Sequence, residues 1–182
     1  RLFLQGFERG KVVVVHDGRL RVTATTYEGN EVTLALCGPG EIVGSHSALT
    51  GEPVAAGVVA AEDGSASILT ADRYLEILRG SPDLMIEEIR GLIDMLHRAE
   101  QRLVDIATDD VGPRVVRQLE RLCRGQQAPV ELPLTQTDLA SMVGAARASV
   151  APILAGLRER GVISTSRGQI VVNDLGALGT TE

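Results

Sequence analysis

The stretch SPDLMIEEIRGLIDMLHRAEQRLVDIA, Ser81 to Ala107, decides how the chain is organised, because strand-like segments precede it and short helical segments follow it. Met85, Ile89, Leu92, Leu96, Ala99, Leu103 and Ile106 recur at alternating spacings of four and three, the a/d seam of a heptad repeat. Such a seam is half of an interface, and the expected other half is the same helix in a second copy. Ile86 and Ile93 lie beside it and widen the apolar stripe, so one flank can pack on the preceding segment while the seam meets its partner. The alternative is a helix buried within its own protomer.

Upstream, residues 1 to 70 are punctuated by glycine at short intervals. Between the glycines lie β-branched runs at Val12 to Val15, Leu20 to Thr26, Val32 to Leu36, Gly57 to Ala60 and Ser65 to Thr70. That spacing predicts an antiparallel all-β barrel or roll. Asp17-Gly18 and Gly29-Asn30 are hairpin-type dipeptides, since Gly and Asn accept positive φ cheaply. Ala71 to Gly80 puts Tyr74, Leu75 and Leu78 on one face and stops at Gly80, which predicts a short helix leading into the long one. The opening run Arg1-Leu2-Phe3-Leu4 already reads as a strand, as if the natural N-terminus were missing.

Downstream, Asp109 and Asp110 favour the positive end of a new helix over Val111 to Arg124, with Pro113 tolerated in its first turn. Val115, Leu119 and Leu122 share one face, and Arg114, Arg117, Arg121 and Arg124 read as a solvated one. From Pro133 the pattern changes again. Thr135 and Asp138 form a capping signature ahead of Leu139, Ala140 and Val143, and Gly144 ends that helix. A tight turn leads to a second helix carrying Val150, Ile153, Leu154 and Leu157, which together predict a helix-turn-helix. Gly161 stops it, and Val162 to Thr165 with Gln169 to Val172 read as a two-stranded wing turning at Ser166-Arg167-Gly168.

These readings give an α+β chain with expected boundaries at 1–80, 81–108 and 109–182. For 182 residues, two small domains on a shared helix fit the length. Only 2% of the residues are aromatic, which argues against base-stacking platforms, and the net charge of −6 excludes a generally basic coat. Any DNA contact must come from a local cluster of arginines. Cys37 and Cys123 are far apart, giving neither metal-ligand spacing nor a disulfide framework, so a reduced cytoplasmic protein is expected. No run approaches membrane length, and no signal peptide is expected. No Ser-His-Asp, paired-carboxylate or phosphate-loop pattern points to an enzyme.

Three features in this order resemble one family: Gly6 to Gly18 followed by GPGEIVG at Gly38 to Gly44, the long helix, and the run LTQ-x-x-LA-x-x-VG-x-x-R from Leu134 to Arg147 with L-x-x-RG-x-I after it. The chain is similar over essentially its whole length to the cAMP receptor protein and fumarate-nitrate regulator family. The resemblance implies a cyclic-nucleotide-binding-type β-roll, a dimerisation helix and a C-terminal winged helix-turn-helix. It also implies a homodimeric transcription regulator whose partners are a two-fold site on double-stranded DNA, its own second copy and RNA polymerase, with no membrane.

The same resemblance places the effector pocket at Gly44, Ser45, Val54, Ala55, Ala99 and Glu100. Relatives that bind cyclic nucleotide hold the ribose with a Glu where this chain has Ser45, and the phosphate with an Arg-Ser pair where it has Val54 and Ala55. They offer hydroxyl residues to the base where it has Ala99 and Glu100. A buried phosphate needs a cationic or densely hydrogen-bonding partner, and losing the Arg costs roughly 2 to 5 kcal/mol. The pocket is therefore read as degenerate, with cAMP and cGMP not expected and no cofactor predicted, although backbone N–H groups of Gly44 to Ala48 could meet another anion. An iron-sulfur cluster lacks its four thiolates. A haem would have only His16, His46 and His97 to draw on, and a lone His on the long helix reads more simply as a surface or interface residue.

For DNA, the resemblance puts Arg147 where relatives read a guanine edge, a match to the bidentate geometry of Arg with O6 and N7. The family's next Glu is Ala148 here, and a second DNA-facing Arg is Pro152. If the helix starts at Arg147, Pro152 lies beyond the first turn and costs about 3 kcal/mol. A start with Ser149 as N-cap would bring it inside that turn. Thr135, Gln136 and Arg167 are expected phosphate contacts, with Ser149 beside them. The alternative reading is a family member that has lost sequence-specific DNA binding and serves as a ligand-binding or protein-interaction module.

Overall fold

A computed structural model describes residues 2–6, 11–29 and 31–179. Arg1 and Asn30, which figure in the sequence reading, lie outside the described residues. The chain divides into two compact units, Arg1–Gln101 and Arg102–Glu182.

The first unit carries six strands: β1 (Lys11–Asp17), β2 (Leu20–Thr25), β3 (Glu31–Cys37), β4 (Ile42–Val43), β5 (Gly57–Ala60) and β6 (Ser65–Thr70). They form two antiparallel three-stranded sheets, ordered β4-β1-β6 and β3-β2-β5. Phe3, Val13, Val15, Leu20, Val54 and Val58 pack into one buried cluster, which Phe3 joins through a bridge to Val58. Val12, next to Val13 and pointing the opposite way, is buried in a second cluster with Ala48, Tyr74 and Leu78. β1 is thus covered on both faces, by the sheet core on one side and by α1 (Ser45–Thr50) and α2 (Ala71–Gly80) on the other.

The sheet pairing corrects one expectation. β2 and β3 form a hairpin, with Gly29 at φ 83° in its turn. Asp17-Gly18 does not close a hairpin, because β1 and β2 belong to different sheets. It is a corner, facing the β5–β6 corner at Asp63-Gly64. A Cβ on Gly18 would run into the Asp63 carbonyl, and one on Gly64 into the Asp17 carbonyl, so the two chain reversals approach as closely as backbone allows.

Thr70 caps α2, its hydroxyl accepting from Arg73 N, and Tyr74 and Leu78 bury the face that the periodicity assigned to the core. α3 then runs from Pro82–Thr108. Its seam residues are not buried within the protomer: Ile89 is 49% exposed, Leu96 56% and Leu103 70%. Leu92 alone among the seam residues is half-buried, and the flanking Ile86 and Ile93 are exposed too. The reading of a helix buried in its own protomer is overturned.

In the second unit, α4 (Val111–Cys123) buries Val115, Leu119 and Cys123, and Asp110 occupies its N-cap position. α5 (Gln136–Met142) and α6 (Arg147–Glu159) follow, with β7 (Val130–Leu132), β8 (Ile163–Ser166) and β9 (Gln169–Val172) forming a sheet ordered β7-β9-β8. The wing therefore rests on a third strand that the two-stranded reading left out. Of the four arginines expected on a solvated face, Arg124, just past the end of α4, is exposed, but the other three are not free in water. Arg117 and Arg121 pair with Asp105, Arg117 also with Asp109, and Arg114 donates to the Val143 carbonyl at 2.8 Å.

Candidate nucleic-acid interface

α5 begins with a complete capping box. Thr135 Oγ1 accepts from Asp138 N at 3.1 Å, and Asp138 Oδ2 accepts from Thr135 N at 2.7 Å. The Thr135 hydroxyl also donates to Asp138 Oδ2 at 2.7 Å. With that proton committed, the Thr135 side chain shapes the helix start, and Gln136, half-buried at the first helical position, lines the groove beside it.

The turn after α5 is fixed from below. Gly144 has φ 64°, and a Cβ there would meet Ile106 Cδ1 at 2.9 Å. Arg114 holds the carbonyls of Val143 and Gly144, and Ala145 N donates to the Ala140 carbonyl at 3.0 Å. α5 and α6 consequently meet at 113°, within the roughly 90–120° range of helix-turn-helix pairs. Leu139, Val150, Leu154 and Leu157 are buried.

α6 starts at Arg147 with Ala146 at the N-cap, so Ser149 is not the cap. Ser149 N and Val150 N both donate to the Ala146 carbonyl, which commits the chain to helix two residues before Ser149. Pro152 is therefore the sixth helical residue and supplies no N–H to the Ala148 carbonyl. The helix nonetheless continues to Glu159, held by the burial of Val150, Leu154 and Leu157 on its inner face.

The wing turn is set by Gly168 at φ 79°. Ser166 Oγ donates to Gln169 Oε1 at 3.3 Å, and Gln169 Nε2 donates to Glu131 Oε2 on β7 at 2.7 Å. A groove between the helix-turn-helix and the wing is lined by Thr135, Gln136, Arg147, Thr165, Ser166 and Gln169, among others. The fold thus brings three sequence-predicted residues, Thr135, Gln136 and Arg147, to one groove. Ser149 and Arg167 are exposed on α6 and at the wing turn, beyond the groove lining. Thr165, Ser166 and Gln169 were not singled out in the sequence. The polar run Ser164 to Gln169 was the signal for them.

Arg147 stands at the wrong end of α6 for its own helix, since the N-terminal dipole disfavours a cation by about 0.3–1 kcal/mol. It has no ion-pair partner among the described residues. Its guanidinium is exposed at the start of α6 and lines the groove.

In the β-roll, Gly44 has φ 92° and a Cβ on it would strike the Lys11 carbonyl. Ser45 is buried close to the Tyr74 hydroxyl. The Tyr74 phenol is pushed well above its usual pKa, first by burial and then by Glu88 on α3. Val54 does not face a cavity as a ligand group would: it is 7% exposed and packed with Phe3, Val13 and Val58. Ala55, Ala99 and Glu100 are not part of that core, and Ala99 and Glu100 are exposed on α3. Among the candidate haem ligands, His16 Nε2 lies 2.7 Å from Ser67 Oγ, and His46 and His97 are exposed on separate helices. No group of three or more metal-ligating side chains occurs among the described residues. No single helix among them is long and apolar enough to cross a membrane.

Residues 1–81 match the cyclic nucleotide-binding domain, and residues 113–180 match the Crp-like helix-turn-helix domain. The chain is 30% identical over 178 residues to the cyclic AMP receptor protein of Thermus thermophilus, covering 97% of this chain and 82% of that one. It is 28% identical over 185 residues to the global nitrogen regulator of Synechocystis, again covering 97% and 82%. Among solved structures, a CRP/FNR-family transcriptional regulator from Thermus thermophilus superposes with a TM-score of 0.71 at 26% identity, covering 97% of this chain and 94% of the other.

Proposed function

The chain belongs to the cAMP receptor protein and fumarate-nitrate regulator family, whose members are transcription regulators with a helix-turn-helix DNA-binding domain and not enzymes, and from that membership we propose a homodimer that binds a two-fold DNA site without cyclic nucleotide. The observation that carries the DNA part is Arg147, exposed and unpaired at the N-terminus of α6 beside Gln136 and the wing. Arg147 reads a guanine edge, while Gln136 and Arg167 meet phosphates. Binding of a selected duplex by wild-type and Arg147→Ala chains, followed by fluorescence anisotropy, tests it: the variant loses affinity on the selected site and keeps nonspecific binding.

The dimer rests on the a/d residues of α3, which, Leu92 apart, the protomer leaves exposed over several turns. Apolar side chains in such a register are favourable only when a second helix removes them from water. The effector pocket is degenerate. Val54, where relatives place an Arg, belongs to the apolar core, so a cyclic phosphate would have no cation at that position. RNA polymerase is the partner that family membership suggests for the bound dimer.

A second reading has its own observation. Pro152 lies beyond the first turn of α6, and Ala148 replaces the family's base-reading Glu, as expected if the module had abandoned sequence-specific DNA and binds a protein instead. The anisotropy measurement separates the two, since the second reading predicts no preferred duplex.

A further inference from the structure

The exposed face of α6 is chemically unusual for a helix that reads bases. Behind Arg147 it presents Ala148 and Pro152, one turn apart and both exposed, while Val150, Leu154 and Leu157 bury the opposite face. Ala148 and Pro152 have neither donor nor acceptor in their side chains. In the major groove the one base feature that an apolar side chain recognises is the C5-methyl group of thymine.

We propose that Ala148 and Pro152 are specificity-determining residues that pack on thymine methyls, so that each half-site carries thymines flanking the guanine read by Arg147. This rests on the DNA-binding reading above and adds a base code to it. The two residues are four apart, about 6 Å along the helix axis. With base pairs rising about 3.4 Å, the two contacts fall about two base pairs apart. Arg147 and Arg167 supply the positive charge that brings this face against a polyanion, and Ser149, exposed beside Ala148, is the polar side chain between the two apolar contacts. Pro152 fits the role for a second reason: its ring is rigid, so ordering it against a base costs no rotamer freedom.

The test uses the whole wild-type chain. A preferred duplex is selected from random sequence at low salt, and each thymine of a half-site is then replaced singly by deoxyuridine, which removes the methyl group and leaves every hydrogen-bonding group in place. At two positions per half-site, uracil should weaken binding about fourfold, the equivalent of one methyl contact. Ala148→Gly should bind the thymine duplex about fourfold more weakly and lose its response to uracil at one of the two positions. Pro152→Arg should move the preference at the other from thymine to guanine. Uracil duplexes that all bind within about twofold of the thymine duplex overturn the methyl code and leave the DNA-binding reading standing. Failure to select any duplex overturns both.

Discussion

Asp105 Oδ2 accepts a hydrogen bond from Arg121 Nη2 at 3.1 Å, with the carboxylate residue only 5% exposed. Its other oxygen lies 3.3 Å from Arg117 Nη2, and Arg117 also pairs with Asp109. The last turn of α3 is thereby bound to α4 by charge, and Ile106, one residue on, packs against the Gly144 turn that precedes α6.

Removing the shared carboxylate leaves two guanidinium groups facing each other. Asp105→Ala should destabilise the second unit by about 1 to 3 kcal/mol, below the roughly 3–5 of a fully buried pair because Arg117 and Arg121 keep partial contact with water. Urea unfolding should show a lower midpoint with an unchanged slope. An unaltered midpoint would mean that the pairs contribute nothing net.

The dimer prediction is best made at Leu96. Leu92 is half-buried in the protomer, so a charge there would disturb the fold as well as the interface, whereas Leu96 is 56% exposed. Leu96→Asp places an unpaired carboxylate in the seam at a cost of several kcal/mol to association alone. Sedimentation at micromolar concentration should give a dimer for the wild type and a folded monomer for the variant.

Cyclic nucleotides should give no saturable heat on titration at micromolar concentration, because Ser45, Val54 and Ala55 stand where the ribose and phosphate holders would be. Val54→Arg should not restore binding simply. It would bury a guanidinium among Phe3, Val13 and Val58 and should lower the melting temperature in the absence of ligand. Saturable micromolar heat with cAMP would require other groups to hold the phosphate.

Stability should fall on the alkaline side. Burial, and then the Glu41 carboxylate, push the Cys37 thiol up to about 12 from 9.0, and Tyr74 shifts in the same direction. Above about pH 9 the unfolded chain loses protons that the folded chain keeps, so stability is complete below about 9 and declines as pH rises beyond it. Denaturation midpoints taken at neutral pH, near pH 9 and about 1.5 units higher should be level and then drop, with a shallower drop for Cys37→Ala. At about pH 8 the native Cys37 should react slowly with a thiol reagent.

Much of this architecture was legible in the residue pattern, and the exceptions share a cause. Five of the six strands of the roll, α2, α3 and the Thr135–Asp138 cap follow from local periodicity and capping chemistry. β4 has two residues and β7 three, too few for a period of two to register. The Asp17-Gly18 turn gave its local conformation but not its sheet partners, which depend on the close approach of Gly64 from far along the chain. Arg117 and Arg121 looked solvated because their partners, Asp105 and Asp109, lie on or just beyond α3, and Arg114 because its partner is the Val143 carbonyl after α5. At the interface, Arg147 and Gln136 were readable from the motif. The start of α6 was not, since Ala146 has no capping side chain to announce it and Ser149 resembles a cap without being one.

On DNA, Arg167 and Arg147 should separate cleanly. Arg167→Ala should lower the salt slope of binding by about one unit for any sequence. Arg147→Ala should cost about 1 to 3 kcal/mol on the preferred site and relax preference at one position per half-site.

A dimer that places two α6 helices in successive major grooves should select, from random duplexes at low salt with the wild-type protein, an inverted repeat whose half-site centres lie one helical turn, about 34 Å, apart. Enrichment of no duplex, or of a single asymmetric half-site bound by a monomer, would contradict it.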